Sequence, residues 1–247
     1  MFPLMTKISL FIGHRGTLVD YDENTLEAFG IAIKSGANCI ELDVRRTKDN
    51  KLIAFHDKKL ARITNDNGIL KNLTYNDVKN LKTKIRNQKI PLLEESIDYI
   101  TDKTQMIIHL KDKGIEKEVL GLIIKKGVLK NCIIGGRDLN KLIRYKKTFK
   151  PIKICFNMTK GRGLNLKEFI EKGSRKKLKN IPDMINLRSD LISNQFIKVC
   201  HINGIKSLAW DFMGYKHPLQ VINRLIDSHI DGILFDDYHN LKIIRGN

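Results

Sequence analysis

The 247-residue sequence is 42% apolar and 29% charged and carries a formal net charge of +18. That balance excludes a disordered or fibrous chain and allows a sizeable core, and no run reaches the ~18 uninterrupted apolar residues of a membrane-spanning helix. The excess charge fits either solvated lysine-rich faces, as in Ser174 to Lys179, or an anionic partner such as a phosphate ester. No nucleic acid is expected, because no basic stretch is interleaved with aromatics. Cys39, Cys132, Cys155 and Cys200 lie far apart without CxxC spacing. They read as buried free thiols in a reducing compartment rather than a zinc site. The start, "MFPLMTKISLFIG", is apolar but short and lacks a small-residue cleavage site. A cytoplasmic protein without a transmembrane segment is the expectation; the oligomeric state is unknown.

In chain order, "ISLFIG" (8–13) reads as a strand that stops at "GHRG" (13–16). "ENTLEAFGIAIKSG" (23–36) reads as a helix, with Asn24 as its N-cap and Gly36 at its left-handed C-terminus. "CIELDV" (39–44) and "LIAFHD" (52–57) read as strands, and "TYNDVKNL" (74–81) and "LLEESIDYI" (92–100) as short helices. Further strands are expected at "QMIIHLK" (105–111), "NCIIGG" (131–136), "IKICFNM" (152–158), "MINLR" (184–188), "IKSLAWDF" (205–212) and "GILFDD" (232–237). Helices fill the gaps between these six. The alternation, with mostly apolar strands, predicts parallel strands covered on both faces. One link, "RRTKDNK" (45–51), is too short for a crossover helix. Nine strand candidates exceed by one the eight of a TIM (β/α)8 barrel, and "MINLR" is the weakest. An open doubly wound sheet would want GxGxxG after the first strand, and "GHRG" is not that. With no linker or repeat, residues 1–247 are expected to form a single domain.

In a barrel, chemistry gathers at the C-terminal strand ends. There the sequence places His14, the pair Glu41 and Asp43, His56 with Asp57, His109 with Lys111, and Asp211. Glu41 and Asp43 lie two residues apart, so both carboxylates face one side. Ionisable groups in apolar strands are costly unless paired or bound to something. Two carboxylates suit a hard divalent cation. Two histidines can share acid and base work near neutral pH. Arg15 as a planar fork, and Lys111 as a point charge, can hold a phosphate. This set suits phosphodiester cleavage.

"HRG" (14–16), "ENTLEAF" (23–29), "GANCIELDVRRTKDNKLIAFHD" (36–57), "LARIT" (60–64), Gly68, "LT" (73–74) and "IPLLEE" (90–95) resemble the glycerophosphodiester phosphodiesterase family, in order and spacing. "SLAWDF" and "IDGILFDD" are similar to its late segments. The resemblance implies a TIM barrel of lipid metabolism that hydrolyses small-molecule glycerophosphodiesters to glycerol 3-phosphate and an alcohol. It implies catalytic roles for His14 and His56, metal ligation by Glu41 and Asp43, and substrate contacts from Arg15, Lys111 and Trp210. It also implies that 58–91 is a small inserted segment after the strand ending in His56-Asp57. The glycines of "GHRG" read as letting the backbone approach a substrate.

Two positions depart from the family pattern. Asp22 replaces a proline, and His109 stands where a third metal-binding glutamate is usual. The resemblance implies Mg²⁺ or Ca²⁺; an imidazole at position 109 makes Mn²⁺, Co²⁺ or Zn²⁺ possible. Two alternatives remain open: a lipid-directed phosphodiesterase of lysophospholipase D or phospholipase C type, and a catalytically weakened phosphate-ester-binding protein.

Overall fold

The computed structural model describes residues 8–176 and 178–246; the apolar start, residues 1–7, lies outside them. The elements in order are β1 (Leu10–His14), α1 (Leu26–Lys34), β2 (Cys39–Arg46), β3 (Leu52–Ala54), α2 (Tyr75–Val78), α3 (Leu93–Thr101), β4 (Gln105–Leu110) and α4 (Glu116–Lys125). Then follow β5 (Cys132–Gly136), α5 (Leu139–Thr148), β6 (Lys153–Asn157), α6 (Leu166–Arg175), β7 (Met184–Arg188) and α7 (Asn194–Ile202). The chain continues through β8 (Lys206–Trp210), α8 (Pro218–Asp227), β9 (Gly232–Phe235) and α9 (Tyr238–Arg245). Eight strands pair in parallel in the order β1-β9-β8-β7-β6-β5-β4-β2, and β2 pairs back with β1. The sheet is closed, and the architecture is a TIM barrel.

The ninth strand is β3, which pairs antiparallel with β2 through Val44↔Ala54 and Arg46↔Leu52. The surplus strand is therefore "LIAFHD", and "MINLR" is a full barrel strand paired with β6 and β8. The strand also stops at Ala54, so His56 and Asp57 stand on the loop beyond it. The cause is local. The Thr47 N–H donates to the Lys51 carbonyl and Asn50 takes φ 63, which closes a hairpin. Antiparallel neighbours need only such a turn, whereas a parallel return needs a long crossover. That crossover is the stretch from 55 to 104, which carries its own small core of Phe55, Leu60, Leu70, Val78 and Ile90 around Ile53.

Two apolar regions flank the strands. The larger lies outside, between barrel and helices, around Phe29, Phe156, Phe169, Phe196 and Ile40. The smaller fills the barrel: Leu10, Ile12, Cys39, Ile107, Ile133, Cys155, Met184, Leu208 and Leu234, with at least one residue from each barrel strand. All four cysteines are buried free thiols. No described helix is long and apolar enough to cross a membrane.

Candidate active site

Side chains two apart on a strand share a face. Two residues beyond Ile12, Cys39, Ile107, Ile133, Cys155, Met184, Leu208 and Leu234 stand His14, Glu41, His109, Gly135, Asn157, Asn186, Trp210 and Asp236. Above the apolar barrel filling, then, the next inward layer is polar on seven strands and open at Gly135. One step further lie Asp43 and Lys111.

His14 ends β1. Its Nδ1–H donates to Asp236 Oδ1 at 2.5 Å, its Nε2 lies 3.9 Å from Glu41 Oε2, and its ring meets Trp210 edge-on at 6.2 Å. Burial alone would push the His14 pKa down; the hydrogen bond and charge of Asp236 outweigh it and hold the pKa above the ordinary histidine value. Asp236 is fixed in turn by the Phe212 N–H at 2.7 Å. Burial would raise its carboxyl, but its His14 contact keeps it below the usual range.

Arg15 and Gly16 follow β1 with φ 53 and 82. A side chain at Gly16 would put Cβ 2.6 Å from the Ala28 carbonyl carbon, and one at Gly13 would meet Ala32. These glycines therefore admit α1 against the end of β1. The turn aims the Arg15 N–H at Glu41 Oε2, 3.2 Å away, and its guanidinium at Glu23 (2.9 Å) and Asp43 (3.0 Å).

Asp43 is wholly buried and lies 2.8 Å from Lys111 Nζ. Burial opposes its ionisation, but Lys111 and then Arg15 hold its carboxyl well below the usual carboxylate range. Asn24, expected as a helix cap, instead accepts the Asp43 N–H and donates to Oδ2. Thr25 caps α1 by accepting the Ala28 N–H.

His56 donates through Nδ1 to Asp57 Oδ1 at 2.6 Å, and Arg62 holds the other Asp57 oxygen. Burial lowers the His56 pKa; Arg15 and Lys111 add to that, and Asp43 opposes it. The charges of the site thus act on this ring although it stands on the loop after β3. His109 Nδ1 lies 3.3 Å from Glu41 and 3.8 Å from Asp43, and its Nε2 is buried without a partner. Burial, followed by the Lys111 charge, lowers its pKa.

Glu41, Asp43 and His109 each offer a donor atom within 4.8 Å of the others. Ligand-to-ion distances of roughly 2.0–2.6 Å would let one divalent cation touch all three. Asp112, just beyond the end of β4, takes no part; it pairs with Arg45. The other replacement, Asp22, is buried and accepts from the Thr83 hydroxyl and the Ile85 and Arg86 N–H groups, so it pins the 83–86 loop beside the mouth.

The structure thus brings together His14, Arg15, Glu41, Asp43, His109, Lys111 and Trp210, and places His56 within reach of their charges. Sequence reading missed Asp236, Glu23, Arg62, Asn157 and Asn186. Asp236, Asn157 and Asn186 carried a signal: each is a polar residue two places beyond an inward apolar one. Glu23 and Arg62 meet only through the fold.

A TIM barrel with imidazoles, carboxylates and a cluster that could hold a cation at its C-terminal strand ends resembles the barrel enzymes that work at that face. Comparisons narrow the class. The glycerophosphoryl diester phosphodiesterase family pattern matches residues 14–239. A glycerophosphodiester phosphodiesterase of Caldanaerobacter subterraneus subsp. tengcongensis is 30% identical over 246 residues, covering 94% of this chain and 96% of its own. One from Thermotoga maritima superposes with a TM-score of 0.76 at 27% identity, covering 96% of this chain and 97% of its own. An Oleispira antarctica phosphodiesterase, solved with the product sn-glycerol-3-phosphate, shares the fold at TM-score 0.78 and 20% identity, covering 97% and 98%. The chain belongs to the glycerophosphoryl diester phosphodiesterase family, and it is an enzyme of that kind.

Proposed function

We propose that this chain hydrolyses glycerophosphodiesters to glycerol 3-phosphate and an alcohol, in a metal-dependent reaction with His56 as general base and His14 as general acid. One observation carries the reading. Two imidazoles, each pinned through Nδ1 by a carboxylate, stand at a buried cluster that can hold a cation. Pinning Nδ1 leaves each Nε2 free for proton transfer. The environments push the two rings apart: Asp236 holds the His14 pKa above the ordinary histidine value, and burial holds that of His56 below it. Such divergence assigns acid and base roles.

The donor set fits a divalent ion. Two carboxylates and an imidazole lie within bonding reach of one point, and His109 Nε2 is a buried polar atom lacking a partner. When bound, the ion supplies Lewis-acid polarisation of a phosphoryl oxygen. The imidazole in place of a third carboxylate tilts the site toward Mn²⁺, Co²⁺ or Zn²⁺. His56 Nε2 takes the proton of the attacking hydroxyl, either water or the substrate's own glycerol hydroxyl; in the second case a cyclic phosphate forms, and a water then opens it to glycerol 3-phosphate. His14 Nε2 gives its proton to the departing alkoxide. Arg15 and Lys111 bring positive charge to the phosphoryl oxygens as negative charge builds there. Trp210, edge-on to His14, walls the acid side. The bound product of the Oleispira relative supports glycerol 3-phosphate as the product here. Purified protein should release glycerol 3-phosphate from glycerophosphocholine or glycerophosphoethanolamine with a divalent ion, and chelator should stop it. Release that persists in chelator would remove the metal; no release with any ion would favour a binding protein.

A further inference from the structure

A cleft of about 270 Å³ lies beside the catalytic mouth, between the segments that follow β4, β5 and β6. Lys111 and Gly136 stand in its wall. Gly136 also borders the small cavity shared by Glu41, His109, Asn157 and Asn186, so the cleft adjoins the site. Leu110 and Leu142 give it an apolar side. Cations outnumber carboxylates in the rest of its lining. Lys113, Arg137, Lys160 and Arg162 line it, and among the described residues none of these four pairs with a carboxylate. The carboxylates that border the cleft are already engaged. Asp112 holds Arg45 at 2.5 Å, Glu116 lies 3.5 Å from Lys141, and Asp138 caps α5 at the Lys141 N–H. The backbone beneath is stitched together: Arg162 N–H donates to the Arg137 carbonyl at 2.7 Å, and Leu139 N–H to the Arg162 carbonyl at 3.1 Å.

We propose that this cleft receives the alcohol half of the substrate and selects an alcohol bearing a second phosphate. The inference rests on the phosphodiesterase reading above. Lys111 joins the two places, since it touches Asp43 in the site and walls the cleft. A diester with its phosphorus at the cation cluster can therefore extend past Lys111 into the cleft. Four unpaired cations in a concavity focus positive potential more than the same charges on an open face. Guanidinium forks beside ammonium groups suit phosphate oxygens. A quaternary ammonium would meet repulsion there, and Tyr145 alone cannot form the aromatic cage that binds such a cation.

Three diesters that share the glycerophospho half test this: with choline, with glycerol, and with glycerol phosphate as the alcohol. Calorimetry on the whole chain in chelator, where nothing turns over, reads binding alone. The phosphate-bearing diester should bind at least about tenfold more tightly than the glycerol one, with choline weakest, and the gap should shrink in roughly 0.5 M salt. Two double variants, Lys160→Ala with Arg162→Ala and Lys113→Ala with Arg137→Ala, should each narrow the gap while melting like the parent. Equal dissociation constants for the three diesters, or a gap that survives both double variants, overturns the proposal. Turnover of the glycerol diester with a divalent ion checks the underlying reading separately. Selective binding without any turnover would refute that reading and uphold the cleft.

Discussion

The barrel mouth has two unlike halves. On the side of β8, β9, β1, β2 and β4, nearly every charge has a partner: His14 with Asp236, Arg15 with Glu23 and Asp43, and Lys111 with Asp43. On the side of β5, β6 and β7, the inward positions hold Gly135, Asn157 and Asn186, and both asparagines keep a buried Oδ1 without a partner. The first half is preorganised. Its charges are desolvated on folding and held by one another, so they need not reorganise when negative charge develops on a substrate. The second half has uncharged inward groups and unpaired cations nearby, which is what a recognition surface needs. On the reading proposed above, chemistry sits where the charges are satisfied, and selectivity where they are not.

The sharpest way to break this contrast is Asp43→Asn. It removes a proposed cation ligand and leaves Arg15 and Lys111 buried without their shared partner. Loss of one member of a buried ion pair costs about 3–5 kcal/mol. Denaturant melts should show that loss, and turnover should fall at least ~10²-fold, the scale of a lost acid–base or electrostatic group. A melt unchanged from the parent would mean that the pairing adds no stability.

Asp236→Asn should act next most strongly, and through His14. Burial pushes the His14 pKa down and Asp236 holds it up, so without the carboxylate charge the ring loses its proton at lower pH. The general acid is active when protonated. The alkaline limb of the rate profile should therefore move to lower pH, with kcat near neutrality reduced about tenfold. The acidic limb, set by His56, should stay in place. An unmoved alkaline limb would take Asp236 out of the account.

His109→Glu adds a third carboxylate to the cluster. It should shift binding preference toward Mg²⁺ or Ca²⁺, by about tenfold relative to Mn²⁺. Competition calorimetry on parent and variant reads this directly, and an unchanged preference would place His109 outside the coordination shell. Asn157→Leu, in the half without inward charges, should have the smallest effect. Replacing an unpartnered polar group by an apolar one of similar shape is close to neutral, so stability should move by less than about 1 kcal/mol. A large loss would mean that the amide has a partner on which the fold depends.

Most of the preorganised half was legible in the sequence because its residues end apolar strands, where an imidazole or carboxylate is costly without a purpose. His14, Glu41, Asp43, His109 and Lys111 all stood out in this way. The barrel itself was legible from the strand–helix alternation, but the identity of the surplus strand was not. "LIAFHD" is apolar enough for a barrel strand; only the hairpin at Asn50 turns it antiparallel, and the seven-residue link before it held that information. Asn24 looks like a helix cap because its type and position suit one, yet tertiary contact with Asp43 takes its side chain elsewhere. Glu23 and Arg62, 39 residues apart, meet at 2.6 Å for reasons that no local pattern contains. Asn157 and Asn186 were passed over because an amide within a strand costs less than a charge and stands out less.

The division of labour between the two imidazoles is the centre of the account, and leaving-group chemistry tests it most directly. A p-nitrophenyl ester of glycerol phosphate releases a stable anion that needs no proton, whereas a choline diester releases an alkoxide that does. Rates of His14→Ala and His56→Ala should be measured on both substrates. The account predicts that His14→Ala loses ~10²-fold or more on the choline diester but stays near the parent on the nitrophenyl ester, while His56→Ala loses that much on both. Rescue of His56→Ala by the nitrophenyl leaving group, with His14→Ala impaired on both substrates, would contradict it.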